Sequence, residues 1–163
     1  MANETGTGAD HPGIIAPPPV IYAGSAALAM LLHWLVPVAL PAFLGIEEIR
    51  HGAGPVLAVV SVTLAMIAVR RFRKAGTNVP PWLPATTIVE TGPYSVTRNP
   101  MYIGLTGFYI GIGLIVGSVW FAVLFVPMIF VMHYGVILRE EAYLERKFGD
   151  NYLSYKARVR RWI

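Results

Sequence analysis

Glu140 and Glu141 follow the apolar run Met101–Leu138, one arginine beyond its end. Side by side, two carboxylates repel each other, so a cation or a hydroxyl-rich ligand has to compensate them. Arg98, Asn99 and Pro100 stand at the other end of the same run. Pro100 suits a first helical position, where a missing N–H costs nothing, and Asn99 suits an N-cap. A helix that starts there turns its unpaired N–H groups and positive dipole end toward Arg98. That is an anion site, suited to a carboxylate or a phosphate. If the run doubles back, one pocket has a positive helix end on one wall and two carboxylates on another. A zwitterionic ligand fits such a pocket. The plainer alternative is ordinary capping beside an interfacial arginine.

These groups have to be positioned by membrane-crossing elements. Hydrophobic residues make up 55% of the 163, charged residues 13%, and mean hydropathy is +0.57. That balance lies outside the usual soluble range, and the length fits one domain. There is no cysteine, which excludes disulfides, thiolate nucleophiles and cysteine-held metals, and no other metal-ligand pattern stands out. The net charge of +4 comes from basic residues flanking apolar runs, which points to lipid headgroups and away from nucleic acid.

The expected fold is an all-α integral membrane protein with about four transmembrane helices, since a span needs ~20 apolar residues. The first span covers Val20 to Leu40, with Pro37 and Pro41 bending its far end. The second covers Gly52 to Val69 and stops at the basic "RRFRK". Met101–Leu138 is too long for one span and has "GS" at 117–118, which predicts a C-terminal helical hairpin. Residues 1–19 are expected to be a disordered tail, without the basic start of a signal peptide. Residues 20–163 are expected to be one domain. Arg50 alone falls between spans one and two, and the other Lys and Arg residues flank spans on the opposite side. The positive-inside rule then places both termini in the cytoplasm.

In "REEAYLERKFGDNYLSYKARVRRWI", Leu144, Phe148, Tyr152 and Tyr155 recur at helical spacing. Gly149 is a natural helix stop and Asp150 a natural N-cap, so two short helices meet at "FGD". Arg146, Lys147, Lys156, Arg158, Arg160 and Arg161 would give them a basic face for an anionic membrane surface.

Together, "IVETGPYSVTRNPMYIG" and "REEAYLERKFGDNYLSYKARV" resemble the superfamily of isoprenylcysteine carboxyl methyltransferases and phospholipid (phosphatidylethanolamine) methyltransferases. The shared pattern covers about residues 77 to 163. The resemblance implies an integral membrane methyltransferase that uses S-adenosyl-L-methionine without a Rossmann domain. Carried over by motif, Tyr94, Asn99, Pro100, Met101 and Tyr102 would line the cofactor, with Thr86, Thr87, Ile88 and Val89 before the turn. Glu140 matches a cofactor-binding glutamate, and Arg98 and Glu141 are the adjacent catalytic candidates. Two departures bear on the acceptor. Asn99 replaces a histidine common in the isoprenylcysteine enzymes. Val136 stands where those enzymes carry an arginine for the substrate carboxylate. The resemblance therefore implies methylation of an aminophospholipid headgroup, with carboxyl methylation of an isoprenylcysteine-like or other lipophilic acceptor as the alternative. Other classes remain open: a haem protein using His33 and His133, a sterol-reductase relative using NADPH, or a non-catalytic membrane protein.

Overall fold

A computed structural model describes residues 10–41 and 49–163 of the chain. Residues 1–9 of the expected tail lie outside the described residues. Among the described residues, six α-helices carry the fold: α1 Pro18–Leu35, α2 Gly54–Lys74, α3 Pro100–Val116, α4 Val119–Met132, α5 Leu138–Phe148 and α6 Asp150–Arg158. Among the described residues there are no strands, only two isolated bridges, Ala39 with Ser118 and Thr97 with Arg160.

Proline sets several helix starts, at the first or second position of α1, α2 and α3, where no N–H partner is lost. The expected hairpin forms between α3 and α4. Gly117 takes the left-handed φ of +69° that ends α3, and the Ser118 hydroxyl caps α4 by accepting from Trp120 N. A single π turn, His133–Ile137, joins α4 to α5, so Val119–Phe148 runs as one continuous helix. Among the described residues, three helices are long and apolar enough to cross a membrane: Pro18–Leu35, Arg50–Lys74 and Val119–Phe148. The fourth, α3, is an apolar helix of 17 residues, near the lower limit for a span of roughly 17–25 residues. Exposed Leu31, Trp34, Val59, Val126 and Phe130 give the bundle an apolar exterior, as a lipid-embedded protein requires.

Antiparallel α2 and α3 make the most intimate pair. A Cβ on Gly104 would sit 2.7 Å from Ser61 O, and one on Gly111 would sit 2.9 Å from Ala58 N. Glycines thus bring the two backbones together where lipid supplies no hydrophobic drive. Helix α1 is tied in by polar contacts, Tyr22 with Thr106 at 2.7 Å and Ser25 with Tyr109 at 3.1 Å. Arg50 lies beside Gly117 and Arg71 beside Gly92, so these cations mark opposite ends of the pair.

Four expectations need correction. Helix α1 ends at Leu35, not Leu40, because 36–41 is extended and pairs with the hairpin turn, Leu40 N donating to Gly117 O at 2.9 Å. Helix α2 continues through "RRFRK" to Lys74, with the basic residues at its negative dipole end. Gly149, not Asp150, occupies the cap position of α6, with φ +51°. Residues 10–17 are also ordered as a strap against the last helices. Ile15 N donates to Gly135 O at 3.1 Å, Arg139 reaches Gly13 O at 2.7 Å, and Asp10 binds Lys147 and Tyr143.

Candidate functional site: a cavity at one end of the bundle

At the end marked by Arg71 and Gly92, helix α2, the loop after it, α3 and α5 diverge around a cavity. It encloses about 870 Å³ of space when its open mouth is included. The loop is held in shape by its own bonds. Thr86 N donates to Thr77 Oγ1 at 3.0 Å, Thr86 Oγ1 to Gly76 O at 3.1 Å, and Ala85 N to the Tyr143 hydroxyl at 3.0 Å. Pro12 of the strap reaches the cavity lining.

Of the ten residues expected at a cofactor, the structure brings eight to the cavity wall: Thr87, Ile88, Val89, Tyr94, Asn99, Met101, Tyr102 and Glu140. Arg98 and Glu141 join them. Thr86 and Pro100 do not line the cavity. Thr86 is spent on the loop itself, and Pro100 is buried where it starts α3. Asn99 does sit at the cap position of α3, but its side chain does not cap. Its Nδ2 donates instead to Arg161 O at 3.0 Å.

The two adjacent carboxylates face different partners. Glu140 is turned to the cavity, with the Tyr102 hydroxyl 2.7 and 2.8 Å from its two oxygens and donating to the carboxylate. Glu141 is locked into the wall. Arg161 Nε and Nη2 each approach it to 2.8 Å, and Arg98 Nη2 lies at 3.3 Å. The side chains of Arg98 and Glu141 are both 8% exposed, so this is a buried ion cluster. Its geometry is fixed by the C-terminal segment. Arg98 N donates to Arg160 O at 2.9 Å, and Thr97 Oγ1 donates to Arg161 O at 3.0 Å.

Arg161 is the residue that sequence reasoning placed elsewhere. It was expected on a membrane-facing basic surface, and it turns inward. Lys147, Lys156 and Arg158 likewise pair with Asp10, Glu145 and Glu90. Position in the run 156–161 could not separate Arg161 from its neighbours. Only the extended conformation after α6 does so.

Several cavity groups lack partners. Among the described residues, the Tyr94 hydroxyl and Arg98 Nε and Nη1 are buried without a hydrogen bond. Burial pushes the Tyr152 phenol up to about 12, with Glu141 adding to the rise and Arg98 opposing it. Burial also raises Tyr94 and Tyr155 far above the usual phenol range. All three are therefore neutral donors at physiological pH. Val136, one turn before Glu140, is fully enclosed beside Met132 and Ile137 and does not reach the cavity. His133 lies in a separate apolar groove with Ile103, Ile129, Tyr134 and Trp162. Among the described residues no three His, Cys, Asp or Glu groups converge as metal ligands would.

Comparison with known proteins gives three findings. The sequence pattern of a family described as phospholipid methyltransferase matches residues 49–151. An uncharacterized protein of Haemophilus influenzae is 57% identical over 35 residues, which is 22% of this chain and 56% of the relative. A protein-S-isoprenylcysteine O-methyltransferase of Schizosaccharomyces pombe is 32% identical over 72 residues, covering 44% of this chain and 30% of that enzyme. The matches thus span about half and less than a third of those relatives' lengths. No solved structure matches.

Proposed function

From the premise that the chain belongs to the phospholipid methyltransferase family, we propose that it methylates a membrane-embedded acceptor with S-adenosylmethionine as donor. The acceptor in this reading is an aminophospholipid headgroup. The observation that carries it is Glu140, a carboxylate held by Tyr102 on the wall of a largely apolar and aromatic cavity. The residues fit the donor. A carboxylate favours a positively charged ligand, while the unpartnered Tyr94 hydroxyl and Arg98 N–H groups await acceptor atoms.

When bound, S-adenosylmethionine supplies an electrophilic methyl group on a sulfonium. The residues of this chain then have a positioning task. Glu140 and Tyr102 orient the polar part of the ligand, and Met101, Ile88 and Val89 supply apolar walls. The loop and strap, both fastened to the Tyr143 hydroxyl, limit water at the mouth. Residues of α3 and α5 connect the cavity wall to the membrane-crossing part of the bundle. A lipid headgroup can thereby meet a water-borne donor at the boundary.

The acceptor assignment rests on Val136. Enclosed and apolar, it offers a substrate carboxylate nothing at the position where the isoprenylcysteine enzymes have an arginine. The Schizosaccharomyces pombe relative keeps carboxyl methylation as the second reading. The cavity end is assigned to the cytoplasm, with both termini, from the clustering of basic residues there. Reporter fusions at the two ends that emerge on opposite faces would overturn this orientation.

The deciding assay is radiolabelled methyl transfer from S-adenosylmethionine into liposomes containing phosphatidylethanolamine, run beside a farnesylcysteine analogue. Label in the phospholipid headgroup is the expected result. Label only in a base-labile methyl ester of the farnesylcysteine analogue replaces the acceptor and keeps the methyltransferase. No transfer to either, with no calorimetric binding of S-adenosylhomocysteine, overturns the function.

A further inference from the structure

The ion cluster in the cavity wall has unequal numbers of charges. Arg98 and Arg161 share the single carboxylate of Glu141, which leaves one positive charge in excess. Arg161 is 30% exposed and can be served by water, but the Arg98 side chain is 8% exposed. Its Nη2 meets Glu141 and the guanidinium also hydrogen-bonds with the Tyr152 hydroxyl, but Nε and Nη1 have no acceptor among the described residues. A buried guanidinium with unmade hydrogen bonds is costly, because desolvation is not repaid. Glu140 does not relieve it. Its partner is Tyr102, and among the described residues it forms no ion pair with either arginine.

Arg98 lines the cavity immediately before α3, whose first N–H groups have no intrahelical partner. The Arg98 guanidinium therefore lies on the α3 N-terminal wall and the Glu140 carboxyl on another part of the same cavity.

We infer that Arg98 is the oxyanion subsite of this cavity. Its free N–H groups take the negatively charged end of a ligand whose positive end faces Glu140. Glu141 and Arg161 act as positioning residues that hold the guanidinium in place. This deepens the methyltransferase reading and rests on it. Two ligands there carry the required oxyanion: the donor, in its amino-acid carboxylate, and the acceptor, in its phosphodiester.

The test is calorimetry on the detergent-purified full chain and on Arg98→Gln. Both are titrated with S-adenosylhomocysteine, its decarboxylated analogue, and glycerophosphoethanolamine. Arg98→Gln leaves Glu141 paired one to one with Arg161, so the variant retains a charge-balanced wall. A donor carboxylate at Arg98 predicts that S-adenosylhomocysteine binds wild type about tenfold or more tightly than the decarboxylated analogue, with the difference gone in Arg98→Gln. An acceptor phosphodiester predicts equal affinities for the two nucleosides, together with glycerophosphoethanolamine binding that the variant loses. Equal nucleoside affinities with no glycerophosphoethanolamine binding overturn the subsite, while the methyl-donor reading stands. So does a carboxylate or phosphate preference that persists in Arg98→Gln. No binding of any of the three by wild type overturns both. Should the variant fail to fold, the ligand comparison on wild type decides alone.

Discussion

The pair α2–α3 is closed along its length and open at one end. Along the seam, Gly104 and Gly111 press on Ser61 and Ala58, leaving no room for a methyl group. At the Arg98 end, the same helices part around a cavity walled by tyrosines and ionised groups. The seam is built by omitting side chains, and the site by side chains whose hydrogen bonds are incompletely met. Rigidity in the first region is what allows unsatisfied polarity in the second.

Breaking the seam should have the largest effect. Gly111→Leu forces a side chain against the Gly54 and Ala58 backbone, far from the cavity. No monodisperse folded protein is expected in detergent size exclusion. A folded Gly111→Leu variant would show that the helices can separate without loss. Next comes the wall. Glu141→Ala leaves two guanidinium groups without their carboxylate and should cost ~3 kcal/mol or more, measured as thermal unfolding in detergent. An unchanged melting temperature would mean that the cluster is dispensable to the fold.

The comparison sharpens at Glu140, next in sequence yet facing the cavity. Glu140→Gln should weaken S-adenosylhomocysteine by roughly one to two orders of magnitude, the ~1.5–3 kcal/mol of a charged hydrogen bond. Stability should change far less than in Glu141→Ala, because an amide oxygen can still accept from Tyr102. Equal losses of stability in the two variants would erase the distinction between wall and site.

The smallest effect belongs to the strap. The hydrogen bond from Lys147 to Asp10, with that from Tyr143, holds the Asp10 carboxyl below its ordinary value. This clasp is therefore fully present above the ordinary carboxylate range and is lost as pH falls through the lowered value. Asp10→Asn should leave the melting temperature nearly unchanged while raising amide exchange across residues 10–17. Protection that is identical in the two proteins would show that the clasp holds nothing.

Much of this was readable in the sequence because it depends on local chemistry. Gly117–Ser118 marked the hairpin, Gly149 the break between α5 and α6, and the residues around Arg98 and Glu140 converged as the doubled-back run required. What escaped depends on partners distant in the chain. Asp10 resembled any acidic residue in a polar tail until Lys147 and Tyr143 were placed beside it. Arg161 resembled its basic neighbours until the chain after α6 turned back on Thr97 and Asn99. The end of α1 was misplaced because apolar residues 36–40 satisfy their backbone at the hairpin turn instead of within the helix.

The π turn at His133–Ile137 is, in effect, a phase shift. Leu138 N reaches back five residues to His133 O, and the enclosed row passes from Met128, Met132 and Val136 to Ile137 and Glu141. One added residue advances everything after it by roughly 100° around the helix axis. The membrane-crossing half and the charged half of this helix can therefore each keep their own inward face. Mutating a side chain cannot undo that offset. Deleting one residue within 133–137 would, rotating Glu140 and Glu141 away from Tyr102 and Arg161 together.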